Sequence, residues 1–142
     1  MGTITNVTTG DAPPPLGHYV QATVHDGIVY VSGQLAVRAD GTHTVGANFE
    51  EQARQALCNL LSIVRAAGGS PGSILKVTAY IVDVDNWPEL NRVYREILGE
   101  ARPARSVVPV PALHQGYLIE LDAVAVCADG RGSAREKIEI SA

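Results

Sequence analysis

Two short segments carry charged residues inside patterns that are otherwise typical of buried strands. The first, RPARSVVPVP (residues 102–111), begins with Arg102 and Arg105 and continues almost entirely apolar. The second, YLIELDAVAV (residues 117–126), carries Glu120 and Asp122 where a core strand normally has valines. Charges are rarely buried without partners. We therefore expect the two segments to belong to one site.

The residues alone leave a second interpretation of these charges open. Arg105 and Glu120 also fit a plain ion pair between neighbouring strands or between subunits. Asp122 fits a hydrogen-bonded barrel or interface residue, and we do not include it in the site. The four histidines share no metal-ligand spacing, and Cys58 and Cys127 are far apart in the chain. Neither a metal site nor a disulfide framework is predicted.

The composition fits one soluble domain. The chain has 142 residues, of which 46% are hydrophobic and 18% charged, enough for a real core. Its net charge is −4 and its basic residues are scattered, whereas a nucleic-acid partner usually needs a concentrated positive face. No signal peptide and no membrane-spanning run are recognised. We expect a cytoplasmic protein that binds neither nucleic acid nor a membrane.

The first half of the chain predicts a hairpin and a helix. The segment YVQATVHDGIVYVSGQL is expected to form two strands joined at Asp26-Gly27, a pair that supplies the positive φ angles of a tight turn. Asn48 and Glu51 form a capping pattern that predicts the start of an amphipathic helix, which ends at Gly68-Gly69.

The second half predicts a strand, a shorter helix and two more strands. SILKVTAYIVDV is rich in β-branched residues, as strands are. Asn86 and Glu89 repeat the capping pattern before a helix that stops at Gly99, and strands follow near 105–110 and 117–127. The predicted order is β-β-α-β-α-β-β, an α+β sheet with both helices on one face. The other face is more apolar than a monomer usually shows to water, which favours an oligomer.

Six stretches carry a resemblance that spans the chain from about Thr3 to Ala128. They are GHYVQA, VYVSGQL, QARQALCNLLSIVRAAGGS, LKVTAYIVDVDNWPELNRVY, PARSVV and IELDAVAV. Their content and order resemble the RidA/YjgF family of enamine and imine deaminases. The resemblance implies a fold similar to chorismate mutase of the bacillar type. It also implies a homotrimer around a central barrel, with an active site in each cleft between subunits.

The resemblance implies a role for eight residues. Arg105 would bind the carboxylate of a 2-imino acid, assisted by the backbone N–H of Val107, and Glu120 would hold the attacking water or its proton. Tyr19 would be a catalytic neighbour, and the same cleft would be lined or bordered by Ser32, Asn91, His18 and His114. His18 and Val20 replace the proline and serine of the family motif, which bears on the substrate range. Arg102 has no family role, and we expect it to be a solvated charge.

The implied reaction is the hydrolysis of small 2-imino acids, formed from enamines such as 2-aminoacrylate, to 2-keto acids and ammonia. Such a reaction needs orientation and proton transfer but no metal or cofactor. Three alternatives remain: a trimer that binds a carboxylate metabolite without turnover, a deaminase of a pathway-specific enamine, and an RNA-cleaving protein, which the acidic balance disfavours. We expect one domain over residues 1–128 and an extension over 129–142, with an edge strand at KIEI (137–140) or a mobile end.

Overall fold

A mixed sheet carries two helices. The computed structural model describes residues 2–127 and the backbone of 135–139. The elements in chain order are β1 (Thr3–Val7), β2 (Ala22–His25), β3 (Ile28–Gln34), α1 (Phe49–Ala66), β4 (Ile74–Val82), α2 (Trp87–Leu98), β5 (Ala104–Val110), β6 (Ile119–Val126) and β7 (Arg135–Glu139). The predicted β-β-α-β-α-β-β order is confirmed as β2 to β6, and the α+β class with it.

The strand order of the sheet is β5-β4-β6-β3-β2-β1-β7. Strands β4 and β5 are parallel, and every other described pair is antiparallel. A parallel pair needs a crossover that returns the chain to the same end of the sheet, and α2 is that crossover. The strand β5, which carries Arg105, is therefore an edge strand with α2 packed beside it.

The hairpin and the first helix cap agree with the sequence-based prediction. Asp26 and Gly27 have φ angles of 49° and 78°, as a turn with two positive φ angles requires. The Asn48 side chain accepts a hydrogen bond from the backbone N–H of Glu51 at 2.9 Å, so it satisfies one of the free N–H groups at the start of α1.

The second helix begins directly after Asn86, as predicted, but the predicted capping hydrogen bond of that side chain is not formed. Asn86 has helical backbone angles, and its side-chain amide donates to the carbonyl of Val82 instead of accepting from the first turn of α2. The reason is a short 3₁₀ turn over Val84–Asn86 that runs directly into the helix. Asp83 begins that turn at a φ of 72° and accepts from the backbone N–H of Asp85. The predicted end of α2 at Gly99, where φ is 60°, is confirmed.

The helices cover one face of the sheet and leave the other open in the single chain. Val77, Ala79 and Ile81 of β4 are fully buried on the helix side, together with Leu90 and Val93 of α2. The alternate residues of β4 point to the opposite face and are only partly buried. On that open face the Tyr30 side chain is 51% exposed.

The N-terminal and C-terminal segments add strands at one edge. No strand was expected at Thr3–Val7, but β1 pairs with β2, and β7 pairs with β1. An edge strand is thus formed close to the KIEI segment, of which Ile140 lies outside the described residues. Residues 128–134 also lie outside them, and the domain division at 128 stays a prediction. Within the described part of the chain, neither helix is both long and apolar enough to span a membrane.

Candidate active site

Arg105 is held by two uncharged neighbours on α2. Its Nη2 donates to Oδ1 of Asn91 at 2.8 Å, and its guanidinium carbon lies 4.9 Å from the centre of the Tyr94 ring. Burial raises the pKa of the Tyr94 phenol above its ordinary value of 10.0, so the ring is neutral. Among the described residues no carboxylate pairs with Arg105. Its positive charge is therefore oriented but not neutralised.

A network of ion pairs fixes the helix that supplies these neighbours. Arg54 of α1 pairs with Glu96 of α2 and with Glu50 of its own helix. Arg92 of α2 reaches back to Glu50 at 3.0 Å and also pairs with Glu89 and Glu96. These pairs are partly exposed, and each contributes little stability alone, but together they tie α2 to α1. Asn91 and Tyr94 thus stand on a helix whose position relative to α1 is set.

A cavity of about 550 Å³ opens beside Arg105, and we call it the Arg105 cavity. Its lining consists of Asn91, Tyr94, Arg95, Gly99, Ala101, Arg102, Pro103 and Arg105. Arg102 is exposed, as expected for a solvated charge, but it also lines this cavity. Sequence reasoning missed Tyr94 and Arg95 as members of the site, because their helical spacing also fits ordinary packing and a solvated face.

Glu120 lies on the other face of the sheet. In β6 it alternates with Ile119 and Leu121, which are fully buried, and it pairs in register with Tyr80 of β4. Burial is the main cause that raises the pKa of Glu120 above its ordinary value of 4.5; the charge of Asp122 adds to the rise and His114 opposes it. A carboxyl group with a raised pKa is suited to exchanging a proton nearer neutral pH.

Gly33 makes room for the Glu120 side chain. A Cβ atom at position 33 would collide with Oε1 of Glu120. The β3–β6 register shifts between Val31 and Gln34, so the backbone around Gly33 departs from the regular ladder. A residue without a side chain is therefore needed at position 33, where the carboxyl group of Glu120 comes close to the backbone.

A second cavity, of about 300 Å³, opens beside Glu120, and we call it the Glu120 cavity. Its lining consists of Pro13, Pro14, Pro15, Leu16, Gly17, Tyr19, Gln21, Ser32, Gly33, Gln34, Leu35, Val37, His114 and Glu120. It brings together Tyr19, Ser32, His114 and Glu120 of the predicted site. Its walls are largely apolar, with the carboxylate and a few polar groups placed among them.

The polar groups of this cavity hold its walls in place. The Tyr19 hydroxyl accepts a hydrogen bond from the backbone N–H of Leu16 at 3.2 Å, and the side chain is 47% exposed. The Ser32 hydroxyl donates to the carbonyl of Val20 at 2.6 Å. Gln21, which sequence reasoning did not single out, is buried and donates to the carbonyl of Pro13 at 2.9 Å. Gln21 therefore anchors the proline-rich wall.

Within one chain the predicted site residues fall into two separate groups. Arg105 pairs in register with Val77 on the helix side, whereas Glu120 pairs with Tyr80 on the open side. A direct ion pair between Arg105 and Glu120 is thus absent within the described protomer. Val107 packs its side chain against the helix-side core and lines neither cavity.

Two further predicted positions have simple surroundings. His18 is exposed beside the Glu120 cavity but is not among its lining residues. Asp122 accepts a hydrogen bond from the Tyr80 hydroxyl at 3.4 Å, in agreement with the partner expected for it. Across the described residues, no cluster of three or more His, Cys, Asp or Glu side chains is placed to hold a metal ion.

Comparisons with known proteins agree with this architecture. A RutC family protein of Pyrococcus horikoshii is 36% identical over 119 residues, which cover 84% of this chain and 94% of that protein. The human 2-iminobutanoate/2-iminopropanoate deaminase is 33% identical over 84% of this chain and 88% of its own length. The crystal structure of Escherichia coli TdcF with bound serine is 35% identical and superposes with a TM-score of 0.81, covering 87% of this chain and 98% of that chain.

A protein-family model matches most of the chain. The model described as endoribonuclease L-PSP matches residues 9–127, which include both cavities and every predicted site residue. The curated relatives include proteins named as imine deaminases and others named only as RutC family members. The chain belongs to the endoribonuclease L-PSP family, which is the RidA/YjgF family.

Proposed function

We propose that this protein is an enamine/imine deaminase that hydrolyses small 2-imino acids to 2-keto acids and ammonia. The observation that carries the proposal is the state of Arg105, which is oriented by Asn91 and Tyr94 but neutralised by neither. A guanidinium held by neutral groups keeps its attraction for an incoming carboxylate. The curated relatives named 2-iminobutanoate/2-iminopropanoate deaminase support the same reaction class.

The reaction asks little of the protein. An enamine such as 2-aminoacrylate tautomerises to its imine, and the protonated C=N carbon is attacked by water. The C–O bond forms as the water gives one proton to Glu120, which passes it to the nitrogen. The C–N bond of the resulting carbinolamine then breaks as its hydroxyl gives up the second proton, and ammonia and that proton are released with the 2-keto acid. Arg105 fixes the carboxylate, while Glu120 takes and returns the proton from a partly buried position with a raised pKa. Tyr19 and His114 border the reacting atoms.

The site is proposed to form between subunits of a homotrimer. The Arg105 cavity and the Glu120 cavity lie on opposite faces of the sheet in one chain, so one cavity of each kind would meet across an interface. Tyr30, which is 51% exposed on the open face, would be covered in the same assembly. Light scattering should then give three times the 15.0 kDa of a single chain.

Semicarbazide-trapped turnover tests the reaction. An amino-acid oxidase generates 2-imino acids from several amino acids, and the loss of each imine is followed with and without the purified protein. We expect the wild type to hasten the loss and Arg105→Ala to lower kcat/KM about a hundredfold, because a charge-assisted carboxylate contact is lost. Arg65→Ala, an exposed arginine at the end of α1, is the matched control.

Absence of any acceleration by the wild type would overturn the proposal. Saturable binding of 2-keto acids at Arg105 without turnover would instead favour a protein that binds a carboxylate metabolite.

Mixing of inactive variants tests the shared site. If Arg105 and Glu120 act from different subunits, trimers reassembled from equal amounts of Arg105→Ala and Glu120→Gln contain intact sites. About a quarter of the wild-type activity should return with random mixing. If both residues act from the same chain, the mixture stays inactive, and that result would contradict the proposed site between subunits.

A further inference from the structure

Three arginines line the Arg105 cavity, although the chain as a whole is acidic. They are Arg95 on α2, Arg102 just before β5, and Arg105 on β5. The net charge of the chain is −4, so the positive charge of this cavity is opposite in sign to the charge of the whole protein. The described lining contains no aspartate or glutamate. The cavity is therefore a concentrated positive site on an otherwise acidic protein.

Within the described part of the chain, Arg95 and Arg102 take no part in the ion pairs that hold the two helices together. Arg54 and Arg92 form the ion pairs that join α1 to α2. Arg95 and Arg102, by contrast, form no ion pair and no side-chain hydrogen bond with any described residue. Like charges gathered in one cavity repel each other, and a bound anion removes that repulsion.

We propose that the Arg105 cavity takes a ligand with two anionic groups, and that the preferred substrates are 2-imino dicarboxylic acids. This inference rests on the proposed deaminase function for the reaction but not for the binding. Arg105 has its orientation set by Asn91 and Tyr94, so it binds the carboxylate next to the imine carbon. Arg102 and Arg95 bind the distal carboxylate.

The volume and the charge of the cavity favour a small dianion. One arginine suffices for a single carboxylate, and its fork matches that group through two parallel hydrogen bonds. Two more arginines on separate elements suit a second anionic group at a distance from the first. The volume of about 550 Å³ leaves room for a chain of four or five carbons. A long polyanion such as RNA would meet the overall negative charge of the protein outside the cavity.

The test compares substrates of equal length. Imines are generated from glutamate and from norvaline, which each have five carbons and differ in the distal carboxylate. We expect the wild type to have the higher kcat/KM for the glutamate imine. In Arg102→Ala and Arg95→Ala the ratio of the two kcat/KM values should fall about tenfold. Arg65→Ala, whose side chain lies outside the cavity, should keep the ratio.

Calorimetry gives a readout that does not depend on turnover. We expect 2-ketoglutarate to bind more tightly than 2-ketopentanoate, and we expect the ratio of the two affinities to fall in Arg102→Ala. A wild type that shows no preference for the dicarboxylate in either assay, or variants that leave a preference unchanged, would overturn the inference. So would a single-stranded RNA oligonucleotide that binds more tightly and displaces 2-ketoglutarate. If no imine is hydrolysed but 2-ketoglutarate binds in an Arg102-dependent manner, the deaminase proposal fails while the dianion site stands.

Discussion

The Arg105 cavity and the Glu120 cavity are built in different ways. The first is cationic, lies at a sheet edge beside α2, and orients its central arginine with an amide and an aromatic ring. The second is walled by prolines and aliphatic side chains and holds a carboxyl group whose pKa burial has raised. The comparison teaches that anion binding and proton transfer need opposite surroundings. A guanidinium stays charged in any surroundings and needs only that no carboxylate neutralises it, whereas a carboxyl group needs burial among low-polarity neighbours before its pKa rises.

The largest expected effect comes from Glu120. Glu120→Gln should lower kcat at least a hundredfold with little change in KM, because proton transfer is lost while the carboxylate contact at Arg105 remains. Steady-state kinetics with the trapped imine assay measure both constants. Asp122→Asn is the matched variant: it should retain activity, and its pH profile should move to lower pH, since Asp122 helps to raise the pKa of Glu120. A Glu120→Gln protein with an unchanged kcat would remove Glu120 from the chemistry.

Displacing the same carboxylate should have a smaller effect. In Gly33→Ala the new methyl group meets Oε1 of Glu120, and the flexible end of that side chain must move. We expect kcat to fall about tenfold to a hundredfold with only a modest change in thermal midpoint, because a small misplacement of a catalytic group is costly. Gly46→Ala, where a Cβ would have open space, serves as the control. Equal activity of the two variants would show that Glu120 has no required position.

Substitutions of Tyr94, the aromatic neighbour of Arg105, test how the Arg105 cavity binds substrate. Tyr94→Leu should raise KM about fivefold and leave kcat nearly unchanged, since the cation–π contact orients the guanidinium for binding. Tyr94→Phe keeps the ring and removes a buried hydroxyl that has no hydrogen-bond partner among the residues the structure describes, so this variant should bind substrate as the wild type does. If the Phe variant loses affinity as much as the Leu variant, the hydroxyl and not the ring would be responsible.

The smallest expected effect is on stability as a function of pH. The folded state raises the pKa of Glu120 above 4.5, so it favours the protonated form. This contribution is fully present below pH 4.5 and is lost as the pH rises through the raised value. Glu120→Gln should therefore gain stability relative to the wild type between acidic and neutral pH. Denaturant unfolding at several pH values measures the difference, and a gap that narrows as pH rises would contradict the raised pKa.

Local chemistry made much of the fold predictable. Asp26-Gly27 specifies a turn that few other pairs allow, and Asn48 caps α1 through a contact three residues away. The failure at Asn86 has a physical cause, because the same pattern also fits a residue inside a 3₁₀ turn. The strand β1 was missed because its partners β2 and β7 come later in the chain, and pairing rather than propensity defines it.

The sequence indicated individual residues of the candidate site but not how they are arranged in space. The sequence pattern pointed to Arg105 and Glu120 as charges in strands, but it carried no sign that they face opposite sides of the sheet, since that depends on the register of β4 with both neighbours. Arg102 was interpreted as a solvated charge because the sequence alone does not show whether an exposed residue also lines a cavity. Tyr94 was not singled out because its helical spacing also fits ordinary packing.

The crossover helix α2 also has a consequence for how the two cavities assemble during folding. Asn91 and Arg105 are separated by 14 positions, so their contact closes a short loop within a single strand-helix-strand unit. The Glu120 cavity instead brings together residues that are as far apart in the chain as Pro13 and Glu120, so its contacts close a much longer loop. Closing a long loop costs more chain entropy than closing a short one. The contacts of the anion-binding half therefore form at a lower cost in chain entropy than those of the proton-transfer half.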